Sequence, residues 1–287
     1  MGMKKVPQKL NETIAGNGKN MVEGFSTGMM GNIEKSILKK ADLFDNSIGR
    51  YIMRAMLACF YLTLGTAIAV GTGNSLEHLA PGWGKFGYAF MFTWSLVMII
   101  YLNAELGTSN MMYMTTAVHR KILPLKKALA ILMTCILFNA IGAFVISWLL
   151  SYTGAFHDVA ADHFLVTAVA GKLAKAPLQI FVEAIFANMV VNIAFFVTMR
   201  MKDDAGKVIS IVFLIFIFAF LGFEHVIANF SSFSLAYFAS GGNVPGMTIA
   251  AVVINIVLAT LGNYVGGGLI MGLNYSWLNN GKTSYSD

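Results

Sequence analysis

The sequence predicts an all-α integral membrane protein with six transmembrane helices in two inverted three-helix repeats, the second and fifth helices broken. Three observations predict it. First, the 287 residues are 57% hydrophobic and only 12% charged, against about 45–50% and about 25% in soluble domains. Second, six apolar runs lie at about 52–72, 86–117, 128–150, 178–199, 208–237 and 247–275, each near or above the roughly 20 residues that cross a bilayer. Third, the second and fifth runs are longer than one crossing and are interrupted by Glu, Gly and small polar residues. The runs lack barrel-like alternation, and open sheet edges are not viable in lipid, so they are helices.

Taken in order, residues 1–50 form a basic arm with eight Lys or Arg against five acids. Within it, Glu34 to Phe44 suits an amphipathic helix on the membrane surface. The preceding Gly16, Gly18, Gly24, Gly28 and Gly31 suit a loose linker. Residues 51–278 are the transmembrane domain, and 279–287 a cytoplasmic tail. The third and sixth runs contain no Lys, Arg, Asp, Glu or His. The sixth carries Gly262, Gly266, Gly268 and Gly272, spaced for close helix approach. No strand precedes these glycines and no Lys-Ser/Thr follows, so they are not a phosphate loop. Cys59 and Cys135 lie within apolar runs and imply no disulfide framework.

Charge sets the orientation. Nine Lys and Arg fall in residues 1–54, four in 118–127, three in 199–207 and one, Lys282, in the tail. These seventeen lie on one side of the six spans, whereas Lys85, Lys172 and Lys175 lie on the other. Both termini are therefore expected in the cytoplasm. Three spans per half make the halves antiparallel, an inverted-topology repeat. The net charge of +6 is explained by this bias and calls for no nucleic acid.

The chemistry concentrates in the two interruptions. Leu221-Gly222-Phe223-Glu224-His225-Val226-Ile227-Ala228-Asn229 lies deep in the fifth run, and Ala104-Glu105-Leu106-Gly107-Thr108-Ser109-Asn110 lies 119 residues earlier in the second. Ionisable groups inside a membrane face a cavity or the bundle interior and mark paths for ions or protons. Paired interruptions in two halves point to a substrate site. Broken helices also aim half-helix N-termini inward, which favours an anion. Phe92 and Leu96, four apart, share a helix face. Phe218 and His225, seven apart, also share one, about 10 Å apart along a helix. Apolar collars flanking a single polar group would exclude water wires and hydrated ions. Glu105 and Glu224 are expected to tie down the broken-helix loops, and Glu183 to be a buried hydrogen-bonding group. His78, His157 and His163 fall in external stretches and His119 in a basic cytoplasmic loop, with no metal-ligand pattern.

These motifs, together with Ala187-Asn188 and Gly262-Asn263-x-x-Gly266-Gly267-Gly268, resemble the formate/nitrite transporter family of anion channels, from about residue 34 to 278. The resemblance implies an aquaporin-like protomer and a homopentamer in the prokaryotic inner membrane, with one pore per protomer. It implies that His225 is the central polar group of the pore, with Thr108 bonded to it and Asn188 and Asn229 as further pore residues. Phe92 and Leu96 match an outer constriction and Phe218 an inner one. Lys172 matches an outer-vestibule lysine, with Lys175 as its rival and a plain loop charge as the bland alternative. The family usually has a bulky residue before the Thr. Here it is Gly107, which would loosen or widen the central loop.

The function implied is transport of small monovalent anions of weak acids with protons. Formate comes first, then lactate or acetate, nitrite and hydrosulfide. No catalytic residues, metal or cofactor are expected. A neutral-solute pore would be expected to carry Asn-Pro-Ala boxes, and neither interruption contains proline. A membrane enzyme would need a metal or nucleophile constellation that the spans do not offer.

Overall fold

The computed structural model describes residues 28–280; residues 1–27 and 281–287, including Gly16, Gly18, Gly24 and most of the tail, lie outside the described residues. Twelve α-helices and one π-helix make up the described part. The first half holds α1 (Gly28–Asn46), α2 (Ile48–Leu79), α3 (Gly84–Phe92), α4 (Trp94–Tyr101), α5 (Gly107–His119) and α6 (Leu125–Leu150). The second holds α7 (Phe164–Leu173), α8 (Pro177–Arg200), α9 (Asp204–Leu221), α10 (Val226–Ala239), α11 (Ile249–Asn263), a π-helix (Tyr264–Leu273) and α12 (Asn274–Leu278). Among the described residues, five helical stretches are long and apolar enough to cross a membrane: α2, α6, α8, α9, and Ile249–Leu278, which joins α11, the π-helix and α12. The protein is a multi-pass membrane protein.

The second and fifth apolar runs are not continuous helices. The second contains α3, α4 and α5, with residues 102–106 non-helical between Tyr101 and Gly107. The fifth contains α9 and α10, with 222–225 between them. Gly222 ends α9 with φ +74, a left-handed conformation that costs a Cβ-bearing residue free energy. Polar side chains start the helices beside these breaks and elsewhere. Asp203 accepts from Gly206 N (2.5 Å) at α9, His225 from Ala228 N (3.2 Å) at α10, and Thr248 from Ala251 N (3.1 Å) at α11. Each satisfies one of the donors that a helix N-terminus leaves free.

Two elements differ from expectation. The amphipathic helix covers Gly28–Asn46 among the described residues, so Gly31 is helical and not part of a linker. Met29, Met30, Ile33 and Ile37 on α1 are buried with Tyr51, Met112, Ile131 and Met271, and Glu34 pairs with Arg120 at 2.6 Å. The stretch before the fourth run, expected as loop, contains α7. His163 caps it by accepting from Leu165 N (3.1 Å), and Leu165, Val166 and Val169 are buried. His163 is thus a half-buried cap, and burial holds its imidazole below the ordinary value.

Glycines set the helix spacing at two close approaches. A Cβ at Gly142 on α6 would lie 2.6 Å from Met56 O of α2. Gly266, in the π-helix, bears on Ile185 O of α8 in the same way. Any side chain at either position would force the backbones apart. The wider π turn is a rare device. It also brings Gly267 against the Asn188 and Asn192 amides.

Candidate substrate pathway

The two interruptions meet at the centre of the molecule. Thr108 Oγ1 lies 2.8 Å from His225 Nε2, and both residues are buried. Because Ala228 N–H donates to Nδ1, Nδ1 carries no proton. The ring is therefore held as the neutral Nε2–H tautomer, donating to the Thr108 hydroxyl. Asn188 Nδ2 donates to Thr108 O (3.1 Å) and Asn263 O (2.8 Å), steadying this pair from behind.

His225 stands on the wall of a cavity of about 20 Å³, lined also by Leu62, Phe92, Ser95, Leu96, Ile99, Leu106, Val191, Ile215 and Phe218. That is space for about one water-sized centre. Eight of its ten lining residues are apolar, and the Ser95 hydroxyl donates to Phe92 O at 2.6 Å. A second cavity, of about 30 Å³, is lined by Tyr88, Lys172, Phe218, Ala219, Gly222, Phe223, Ala228 and Ser232. Phe218 borders both. Its ring lies 5.8 Å from that of Phe92 and 5.7 Å from that of His225.

The geometry corrects four expectations. Phe218 is not at the opposite end from Phe92. The two rings face each other in one collar, on the Lys172 side of His225. The seven-residue spacing misled because α9 stops at Leu221 and the chain turns at Gly222 before reaching His225. Asn188 and Asn229 do not reach the wall of either cavity. Asn188 is engaged behind Thr108, and Asn229 donates to Glu224 Oε2 (2.7 Å) and Asn255 Oδ1 (2.7 Å). Thr108 likewise backs His225 and is not itself among the lining residues. Finally, Gly107 does not widen the central loop: a Cβ there would lie 2.9 Å from Ile136 Cγ1, 3.1 Å from Asn139 Oδ1 and 3.3 Å from Ile227 Cδ1. The missing side chain lets the first turn of α5 pack closely.

The carboxylates flank the breaks. Glu224 is fully buried; its Oε1 lies 3.1 Å from Lys172 Nζ and 2.6 Å from Lys175 Nζ. Lys175 also donates to Glu183 (2.5 Å) and to Gly222 O (2.7 Å). Partial burial alone would push the Lys175 ammonium down, but the Glu224 and Glu183 carboxylates outweigh it and hold it above its ordinary 10.5. Lys172 lines the second cavity and Lys175 does not. On the other break, Glu105 pairs with Lys40 of α1 at 2.5 Å and accepts from Asn110 Nδ2 at 3.0 Å. A buried carboxylate that lost these partners would be left as an uncompensated charge, at a cost of about 3–5 kcal/mol.

Of the two residues that grip the loops, Asn263 stood in a motif singled out from the sequence without a role of its own, and Asn139 was not singled out. Asn139 and Asn263 each accept from one loop amide and donate to one loop carbonyl. The signal was present: Asn139-x-x-Gly142 and Asn263-x-x-Gly266 stand 124 residues apart in otherwise apolar runs.

The arrangement agrees with known proteins. The family model described as formate/nitrite transporter matches residues 27–277. The chain belongs to the formate/nitrite transporter family. It is a membrane transporter of anions and not an enzyme. Among members of the family, the nitrite transporter NirC of Escherichia coli is 29% identical over 232 residues, 80% of this chain and 84% of NirC. Two solved structures share the fold. One, an FNT family ion channel, has a TM-score of 0.80 at 24% identity, over 87% of this chain and 98% of that one. The other, a pentameric formate channel with formate bound, has a TM-score of 0.68 at 20% identity, over 81% and 97%.

Proposed function

We propose that the protein is a channel or proton-coupled facilitator for small monovalent anions of weak acids, formate first and lactate or acetate next. The observation that carries this is the single ring nitrogen donor, His225, on the wall of a small apolar cavity, held by Thr108 at 2.8 Å. In this reading Lys172 concentrates anions in the outer chamber by its charge. The Phe92–Phe218 collar strips their water. Leu96 and Leu106 continue the apolar wall beyond it. A desolvated anion is costly in such surroundings and its neutral acid is not, so passage favours proton transfer near His225. Taking up a proton at Nδ1 requires the ring to release Ala228 N–H, so protonation is tied to a local change at the start of α10. Glu105 and Glu224 hold the two loops.

Assembly follows the pentameric formate channel whose fold it shares: a homopentamer in the lipid of a prokaryotic inner membrane, one pathway per protomer. The positive-inside count supports both termini in the cytoplasm. The NirC likeness favours a second reading, a nitrite channel of the same build; hydrosulfide is a further small anion that would fit.

Uptake into proteoliposomes of formate, lactate, nitrite and hydrosulfide, at two pH values, tests the proposal. Formate uptake that is the fastest of the four and rises as pH falls is expected. Nitrite exceeding formate selects the second reading. Glycerol or water flux with no anion uptake refutes both.

A further inference from the structure

We propose that Asn139 is a positioning residue for the Thr108–His225 pair. The inference rests on the pathway proposed above, and goes beyond it by placing the setting of that contact on a helix away from both cavities. Asn139 sits in mid-α6 with no exposure. Its Oδ1 accepts from Gly107 N at 2.8 Å, and its Nδ2 donates to Glu105 O at 2.9 Å and Ala55 O at 2.7 Å. The first two bonds clasp the peptide units on either side of Leu106, a wall residue, and end one residue before Thr108. The third ties the clasp to α2. Both Nδ2 hydrogens are used, two of these bonds go to one broken-helix loop, and Cys135 Sγ donates to Oδ1 at 3.8 Å as a fourth.

The inverted half repeats the device atom for atom. Asn263 Oδ1 accepts from Val226 N at 2.8 Å, and its Nδ2 donates to Glu224 O at 3.0 Å and Ala184 O at 2.7 Å. Here the clasped residue is His225. The central hydrogen bond therefore spans two loops, each referenced to its own asparagine. A shift in either clasp moves one partner relative to the other. At 2.8 Å, the Thr108–His225 contact loses much of its strength with a few tenths of an ångström or a modest tilt. Gly107 is matched to this clasp, because a Cβ there would crowd Asn139 Oδ1 to 3.1 Å.

A buried amide that only satisfied backbone groups would cost stability when lost, without regard to Thr108. Acting through Thr108 predicts non-additivity. The test is a cycle of the wild type, Asn139→Leu, Thr108→Val and the double variant. Each is purified as the full protein and assayed for formate uptake against pH in proteoliposomes, with a thermal melt to record folding. Asn139→Leu should lower uptake and alter its pH profile. We expect a loss of roughly tenfold on the wild-type background and under about twofold on the Thr108→Val background. Equal fold losses on both backgrounds overturn the positioning role and leave the pathway standing. Thr108→Val with wild-type uptake and pH profile overturns both. Should Asn139→Leu fail to fold, Gly107→Ala perturbs the same bond from the loop side. The same non-additivity supports the proposal, and equal losses on both backgrounds overturn it.

Discussion

Replacing His225 by Asn separates two jobs the imidazole does at once. The ring caps α10 through Nδ1 and donates through Nε2 to Thr108. Asparagine is among the best N-cap residues, so the bond from Ala228 N–H survives. It is too short to cap and reach Thr108 together. The Thr108 hydroxyl is then left without its donor in a fully buried position, which costs about 1–3 kcal/mol. For a chain of this size each kcal/mol lowers a melting temperature by about 2–4 °C, a drop the fold tolerates. The lost ring enlarges the 20 Å³ cavity, so the path stays open. What Asn cannot do is exchange a proton. The variant should therefore assemble, melt a few degrees lower and still take up formate, but without the accompanying proton movement. The assay pairs radiolabelled formate uptake with internal pH in the same vesicles. A wild-type ratio of formate to protons, with the wild-type pH profile, would refute proton exchange at His225 and leave it a hydrogen-bonding wall residue.

Three further outcomes follow from the geometry. Phe218→Ala removes one of the two facing rings of the collar and should raise leak of other small anions several-fold with assembly retained; unchanged selectivity would show that the Phe92–Phe218 contact is not on the path. Lys172→Ala should weaken uptake most at low formate, because Lys172 lines the second cavity and is proposed to concentrate anions there. Lys175→Ala should instead lower stability, because it holds Glu224, Glu183 and Gly222 O, and equal small uptake losses from both would reduce Lys172 to a loop charge. Since the Lys175 ammonium is held above 10.5, its stabilising contribution is complete below that pH and is lost only as pH rises past the folded value, so melts from pH 6 to 9 should not register its titration. Ile122→Cys should resist labelling from outside intact cells while Ala160→Cys reacts, and external labelling at 122 would invert the assigned orientation.

Most of the frame was legible in the sequence because its causes are local. A long apolar run has few alternatives to a helix in lipid, and a Glu, a Gly and small polar residues inside one mark where the helix stops. Thr108 and His225 were legible because each stands in an interruption. Helical phase failed where the helix itself ended: counting seven residues from Phe218 to His225 assumes a turn at 222–225 that Gly222 abolishes. Asn188 and Asn229 show a different gap. A polar side chain deep in an apolar run must satisfy its hydrogen bonds, but the sequence does not say whether a cavity or a neighbouring carbonyl does so. Here carbonyls and Glu224 do. Asn139 was overlooked for the opposite reason: a lone amide among apolar residues carries no charge to draw notice, and only its repetition with Gly142 at Asn263 and Gly266 exposes it. The α7 helix was missed because ten residues with Lys172 in their last turn, and Lys175 just beyond, look like a connecting loop.

The matching clasps at Asn139 and Asn263 hold unlike residues, Leu106 in one half and His225 in the other. The scaffold is thus doubled but the chemistry is not. On the proposed pathway, a solute meets one proton-bearing station among the described residues, His225, and its progress is a single step rather than a relay. The clasp bonds to each loop go to main-chain atoms, so they do not depend on which side chain the clasped residue carries. Position 106 is the twin of position 225 on the same cavity wall, where on the proposed pathway a second titratable group would turn one station into two.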